Sequence, residues 1–283
     1  MDLTTGTAWL RFSHDGTELA RYVFEPWDVQ LESPRPYFHP LRTLAGDVVS
    51  LYRPHDHVWH KGIAWSLPHV GPANFWGGPT FRRGRGYEQL PNNGTTRHLS
   101  FGSVSGSSVR EELAWDTEQG ERWFTESRAL TFAVADGSWT LGFATTFTNV
   151  WDAEIVLGSP TTNGRANAGY GGLFWRGPRS FTGGEVTVPG RTGGDELMGV
   201  RAPWLAFRGQ HDGSGRFSTL VFEAESAESD VRWFVRSTPF AAVCPAPFFD
   251  TEAPVAPGES LSYRYRIVIA NGSPDPAELV GRG

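Results

Sequence analysis

Four of the chain's eight histidines fall between residues 39 and 60, inside one stretch, Tyr37 to Lys61, dense in groups that move protons or bind metals. His39 follows Tyr37-Phe38, and the others stand in Pro54-His55-Asp56-His57-Val58-Trp59-His60-Lys61-Gly62. If residues 55 to 57 are extended, His55 and His57 point one way and Asp56 the other. Such a pair offers two imidazoles to one divalent metal ion, and His60, His39 or a carboxylate completes a three-ligand site with an open position. The spacing therefore nominates His55, His57 and His60 as metal ligands. No glutamate stands at Val58 to Lys61, however, and the Lys61 ammonium repels a dication. Without a metal, the same groups suit acid–base work on a polyol or keto-sugar, because histidine titrates near neutrality. Asp56 then orients an imidazole or raises its pKa, and Lys61 stabilises an enolate or oxyanion. The alternative is a set of histidines bonded to backbone and packed neighbours.

A second polar group lies in Thr161-Thr162-Asn163-Gly164-Arg165 and Gly169-Tyr170-Gly171-Gly172-Leu173-Phe174-Trp175-Arg176. Gly171-Gly172 lets a ligand approach the main chain, Asn163 places hydroxyl groups, and Arg176 holds a hydroxyl, carboxylate or oxyanion. Against this stands an ordinary loop followed by a strand with a surface arginine. Glu126, inside the apolar run Phe124-Thr125-Glu126-Ser127-Arg128, is a general-base candidate, although Glu126 and Arg128 share a face and can pair on the solvated side. Trp76, in Asn74-Phe75-Trp76-Gly77-Gly78, is a stacking platform for a sugar ring, with Tyr37 a further binding candidate, whereas Trp59 and Trp65 suit a core as well. The chain holds 24 arginines and a single lysine, Lys61, which draws attention to that residue.

The elements that must hold these groups are strands. Twelve Trp, 19 Phe and 34 Gly in 283 residues suit pleated surfaces joined by tight turns. Ala8 to Phe12 and Glu18 to Phe24 form an opening hairpin across His14-Asp15-Gly16, and Asp47 to Tyr52 follows as a strand. Thr96 to Val104, Val109 to Asp116, Glu121 to Val134 and Trp139 to Asn149 form a meander, the last two joined at Asp136-Gly137. Leu141, Phe143, Thr145 and Phe147 share one face. Further strands are expected at Ala153 to Gly158, Leu173 to Arg176, Glu185 to Pro189, Trp204 to Gln210, Ser218 to Glu223, Val231 to Ser237 and Ser260 to Ala270, while two prolines break Ala241 to Phe249. No window carries a helical stripe with a cap. The expected fold is all-β, a large antiparallel two-sheet sandwich formed as one domain over 1–283, with its core at roughly 10–270.

Net charge is −6, which gives no electrostatic reason to bind nucleic acid or an anionic membrane surface. The segment Met1 to Leu10 lacks the pattern of a secretory signal, no apolar run approaches the ~20 residues that span a bilayer, and the one cysteine, Cys244, rules out an intrachain disulfide. A cytoplasmic protein is expected, with a small-molecule carbohydrate as partner.

The motifs Arg35-Pro36-Tyr37-Phe38-His39-Pro40-Leu41, Asp56-His57 with His60-Lys61-Gly62, Asn74-Phe75-Trp76, and Gly171-Gly172-Leu173 with Arg176 resemble those of the PmoA-like bacterial family, over roughly residues 10 to 270. The methane-oxygenase activity which that label suggests belongs to a membrane protein and is rejected here for want of a spanning segment. Members of the family accompany sugar dehydrogenases and sugar-uptake genes, so the resemblance implies carbohydrate catabolism. The strand pattern and Ala256-Pro257-Gly258-Glu259-Ser260 before a final strand are also similar, more loosely, to the galactose-mutarotase-type super-sandwich. The functional expectation is an enzyme that epimerises, eliminates from or hydrolyses a sugar or keto-sugar. A carbohydrate-binding accessory protein and a cupin-like metal-dependent oxygenase are the alternatives.

Overall fold

Residues 138 to 149 show how the chain builds its layers. Leu141, Phe143, Thr145 and Phe147 are buried along Ser138–Asn149, while Gly142, Ala144, Thr146 and Thr148 between them are more open. This period-two pattern gives one apolar face, which is stable only against a second apolar surface. The strand pairs antiparallel with Arg122–Ala135 on one side and Ser260–Asn271 on the other. The computed structural model describes residues 1–225 and 231–281.

Two nine-stranded antiparallel sheets result. One runs Asp2–Thr5, Trp9–His14, Thr17–Val23, Tyr37–Leu41, Ile63–Ser66, Gly172–Arg176, Ala242–Pro245, Val231–Arg236, Arg201–Ala202. The other runs Arg191–Gly193, Glu185–Val188, Trp204–Gln210, Phe217–Ala224, Ser260–Asn271, Ser138–Asn149, Arg122–Ala135, Ser108–Asp116, Thr95–Val104. Aromatic side chains meet between them: Phe12 stacks on Phe132 at 3.8 Å, and Trp175 lies 5.2 Å from Phe207 and 5.6 Å from Phe222. The all-β, two-sheet antiparallel expectation therefore holds. Among the described residues the one α-helix is Pro276–Leu279, capped where Asp275 accepts from the Ala277 amide at 3.0 Å. Among the described residues no helix is long and apolar enough to cross a membrane.

Two expected elements differ. Asp47 to Tyr52 forms only isolated bridges, Arg42 with Val48 and Tyr52 with Lys61. Within Ala241 to Phe249, Ala242–Pro245 is a strand between two neighbours, and its proline stands at the strand's end, where a missing amide proton is tolerated.

Glu126 and Arg128 share a face as expected, but it is the inner one. Glu126 is fully buried and accepts from Trp115 Nε1, Arg128 and Thr145 Oγ1, each at 2.8 Å. Arg128 also donates to Tyr22 in the opposite sheet at 2.9 Å, and Tyr22 donates to Glu111. These pairings join the sheets and occupy the carboxylate, so Glu126 is no general base.

Candidate functional site

Gly172–Arg176 and Ala242–Pro245 are buried at every position, so both of their faces are covered. Leu173, Trp175 and Val243 enter the core between the sheets. The alternate residues Phe174, Ala242 and Cys244, with Phe234 of the next strand, belong to a second apolar cluster outside the sandwich, completed by Trp76, Ala246 and Phe249. A cavity of about 540 Å³ opens over this bed, a size that suits a small-molecule ligand.

Three segments from the first hundred residues build one wall. Buried Arg35 donates to the carbonyls of Glu32 (3.0 Å), Ser33 (2.8 Å) and Trp59 (2.7 Å), tying the histidine segment to the preceding loop. Asn74 organises the next loop: its side-chain oxygen accepts from the Trp76 and Gly77 amides at 2.8 and 3.0 Å. Phe75 then enters the core and Trp76 the cavity wall. Gly77 has φ +100°, and a Cβ there would lie 2.6 Å from both the Glu32 carbonyl oxygen and Trp59 Cβ, so only glycine lets the two loops touch.

Residues 54–60 are turns. The His57 amide donates to the Pro54 carbonyl at 3.0 Å and the His60 amide to the His57 carbonyl at 2.9 Å. The extended 55–57 segment is thereby corrected, and with it the paired presentation of His55 and His57. Instead His57 and His60 stack, with ring centroids 4.6 Å apart and planes at 13°. Behind them stands Arg176, buried between the strand and the turn. Its Nη1 donates to His60 Nδ1 at 3.0 Å, and its Nη2 donates to Asp56 at 3.0 and 3.3 Å. Asp56 also accepts from Arg179 at 3.0 Å and from His57 Nδ1 at 2.9 Å.

These bonds assign opposite tautomers to the two rings. His60 accepts at Nδ1 from a guanidinium, so its proton is on Nε2. His57 donates from Nδ1 to a carboxylate, so its Nε2 is a bare acceptor. Both residues line the cavity, and Nε2 is the nitrogen each has left to offer it. Burial, joined by the charges of Arg176 and Arg35 and by that of His57 whenever it is protonated, pushes the His60 pKa well below its ordinary value and keeps the ring neutral. Burial alone would raise the Asp56 carboxyl, but hydrogen bonds from His57 and Arg176 and the Arg176 charge outweigh it and hold the group ionised.

The rest of the lining comes from distant segments. Tyr87 and Tyr170 share a hydrogen bond of 2.8 Å, Arg165 donates to the Tyr87 hydroxyl, and Arg236 lies beside Phe234. Phe240 caps the inner end, 3.7 Å from the Arg176 guanidinium carbon to the ring centroid.

Of the residues nominated by the sequence, His57, His60 and Trp76 line the cavity, and Asp56 and Arg176 support it from behind. Six others do not converge there, Glu126 between the sheets among them. His39 bonds Ser50 at 2.9 Å, and burial with the charges of Arg42 and Arg21 lowers its pKa to about 4. Tyr37 is buried, stacked on Tyr52 at 5.0 Å. His55 is exposed and accepts from Arg179 at 2.7 Å. Asn163 bonds the Ser159 carbonyl in its own turn at 3.2 Å. Lys61 lies on the far side of the chain from His60, fully buried, paired with Asp28 at 2.8 Å and with Glu32. It therefore closes an ion cluster and cannot face a substrate oxyanion.

The metal set does not assemble either. His55, His57 and His60 spend Nδ1 on Arg179, Asp56 and Arg176, two guanidinium groups stand among them, and no group of three metal-ligating side chains forms among the described residues. Gly171-Gly172 admit protein rather than ligand: Gly172 has φ +108°, and a Cβ there would lie 2.6 Å from the Pro245 carbonyl oxygen. Sequence reasoning missed Tyr87, Arg179, Arg236 and Phe240 as site residues. The available signal was the pair of short apolar runs Trp233-Phe234-Val235 and Ala241 to Cys244, which mark strands covered on both faces.

The chain belongs to the family described as "Family of unknown function (DUF6807)", whose model matches residues 10–281. No curated protein matches, and none of these matches supports the PmoA-like name. Similar solved structures include a GH36 alpha-galactosidase of Geobacillus stearothermophilus in complex with raffinose (11% identity, TM-score 0.48, 90% of this chain and 40% of that one). A galactose mutarotase related enzyme of Lactobacillus acidophilus has 8% identity and TM-score 0.46, covering 94% of this chain and 97% of that one. A putative aldose 1-epimerase of Escherichia coli K12 has 13% identity and TM-score 0.45, covering 95% and 100%. The chain thus spans about two fifths of the galactosidase's length.

Proposed function

We propose that this member of the DUF6807 family is a carbohydrate-active enzyme that moves a proton beside the carbonyl of a sugar or keto-sugar. The observation that carries the reading is the stacked His57–His60 pair with opposite tautomers, 4.6 Å apart against an aromatic cavity. Enolisation needs a base at the carbon and a donor at the neighbouring oxygen. His57 Nε2 takes the C–H proton, and Asp56 stabilises the imidazolium that forms. His60 Nε2–H, a neutral donor held by Arg176, binds the carbonyl oxygen as negative charge gathers on it. Return of the proton to the other face of the carbon epimerises the sugar. Loss of a leaving group from the next carbon completes an elimination. Trp59, Trp76 and Tyr170 supply flat faces for the ring.

The test is solvent exchange. The protein is incubated in deuterium oxide with a panel of aldoses, keto-sugars and sugar acids, and loss of each carbon-bound proton signal is followed by NMR. Exchange or conversion of at least one sugar is expected, and His57→Gln should slow it by about 10²- to 10⁴-fold. Binding without exchange in any sugar, unchanged by His57→Gln, would make the cavity a recognition site without turnover.

A further inference from the structure

The cavity's charge narrows the substrate, a step that rests on the carbohydrate reading above. Among the described residues its lining includes His57, His60, Arg165 and Arg236 and no aspartate or glutamate. The nearby Asp56 is already shared by Arg176, Arg179 and His57. The two lining arginines differ from most on this protein, which sit against carboxylates, as Arg53 does on Glu32 and Arg128 on Glu126. Arg165 donates to a tyrosine hydroxyl and lies 4.7 Å from that ring. The Arg236 side chain makes no hydrogen bond or ion pair among the described residues, and its contact there is the Phe234 ring at 5.8 Å. Strand alternation places it on the cavity side, since Trp233 and Val235 enter the core. Its charge acts on Asp195, whose oxygens accept from Ser237 and Thr238.

A guanidinium facing an apolar cavity with no acceptor is a poor host for a neutral sugar. Its planar fork matches a carboxylate or phosphate, and such charge-assisted bonds are about twice as strong as neutral ones. We propose that the substrate is an anionic sugar, its carboxylate or phosphate held by Arg236 with help from Arg165, while the opposite end of the ring meets His57 and His60. The two arginines come from the segments after Thr161 and after Val231, and the two histidines from the turn after Pro54. The ligand therefore lies between walls, anchored at one end and reacting at the other.

Binding of glucose, glucuronate and glucose 6-phosphate is measured by calorimetry at low salt, on wild type, Arg236→Gln, Arg165→Gln and the double variant. The same series is repeated on the His57→Gln protein, so that recognition is read without turnover. We expect one of the two anions to bind at least about tenfold more tightly than glucose. The anion that wins identifies carboxylate or phosphate as the recognised group. Arg236→Gln should reduce the preference to about threefold or less while leaving glucose affinity within about twofold, which shows that the cavity is intact. Raising salt should weaken the anion alone. Equal affinity for all three ligands, or a preference that survives the double variant, overturns the inference even if the enzyme turns over a neutral sugar. Selective anion binding without solvent exchange upholds it and overturns the catalytic reading instead. No binding of any of the three overturns both.

Discussion

Replacing Asp56 by asparagine tests whether the histidine pair is polarised as described. The carboxylate takes hydrogen bonds from three donors: Arg179 and Arg176 on Oδ1, His57 and Arg176 on Oδ2. An asparagine offers one acceptor oxygen and an amide group that only donates. With its oxygen towards His57, the amide faces two guanidiniums donor to donor. With its oxygen towards the guanidiniums, the amide faces His57 Nδ1, which must become an acceptor and move its proton to Nε2. The charged donors favour the second arrangement, and it removes the base. Turnover should fall by about 10³- to 10⁴-fold, the scale seen when a carboxylate that fixes a histidine tautomer becomes an amide. Stability should fall by about 2–3 kcal/mol, because one charge-assisted bond to buried Arg176 is lost. At about 2 °C per kcal/mol for a chain of this size, Tm drops by about 4–6 °C. The Asp56 pKa is held below the usual carboxylate range, so its contribution is complete above about pH 4 and is lost as pH falls towards the folded value. The gap in Tm between wild type and variant should therefore be constant from pH 5 to 8 and shrink below 4. Scanning calorimetry and the exchange assay measure both effects. A variant within 1 °C of wild type and within tenfold in turnover would refute the assigned tautomers.

Lys61→Met should cost about 3–5 kcal/mol, since it takes the ammonium from buried Asp28 and leaves Glu32 with Arg53 alone. Turnover per folded molecule should stay within about threefold, and a specific loss of turnover at full stability would return Lys61 to the site. Acid should weaken the fold before the carboxylates titrate. Burial lowers His69 to about 4, and burial with the Arg42 and Arg21 charges does the same to His39; burial also lowers His60 well below its ordinary value. All three have folded pKa values below the unfolded ~6.5, so stability is full above that pH and falls as pH drops, by up to about 1.4 kcal/mol per unit for each. Denaturant titrations that give a flat free energy from pH 6.5 to 4.5 would contradict this, and His69→Asn should reduce the slope by one histidine's share.

Local patterning carried most of the fold. Ser138–Asn149 and its neighbours alternate cleanly, and Asp136-Gly137 forces the turn, so strand, register and inner face are all readable from adjacent residues. The face of Glu126 and Arg128 was not readable, because two charged residues one strand-period apart look solvated until Tyr22 and Thr145 arrive from other strands to bond them. The strand at Ala242–Pro245 was hidden by its prolines. His55 and His57 were misplaced for a different reason: an alternating pattern was read through a segment whose backbone bonds run from 57 to 54 and from 60 to 57. Period-two reasoning fails wherever the chain turns.

The composition of the site was legible where chemistry is local and opaque where it is made by topology. His57, His60, Asp56 and Arg176 could be nominated by type, but the roles came from contacts spanning more than a hundred residues, Arg176 to His60 and to Asp56. A lysine at 176 could reach one of those partners as a point charge. Only a planar fork reaches both, one arm assigning the His60 tautomer and the other charging the group that assigns His57. The sole lysine drew attention by its rarity and proved to be sealed away, whereas the arginines, common enough to be discounted, hold the machinery. Arg176 organises the proposed acid–base end through its two terminal nitrogens, bonded to His60 and Asp56. Arg236 marks the binding end by having no such partner among the described residues. The same side chain thus makes two different statements about chemistry, and burial with its bonded neighbours, not its frequency in the sequence, distinguishes them.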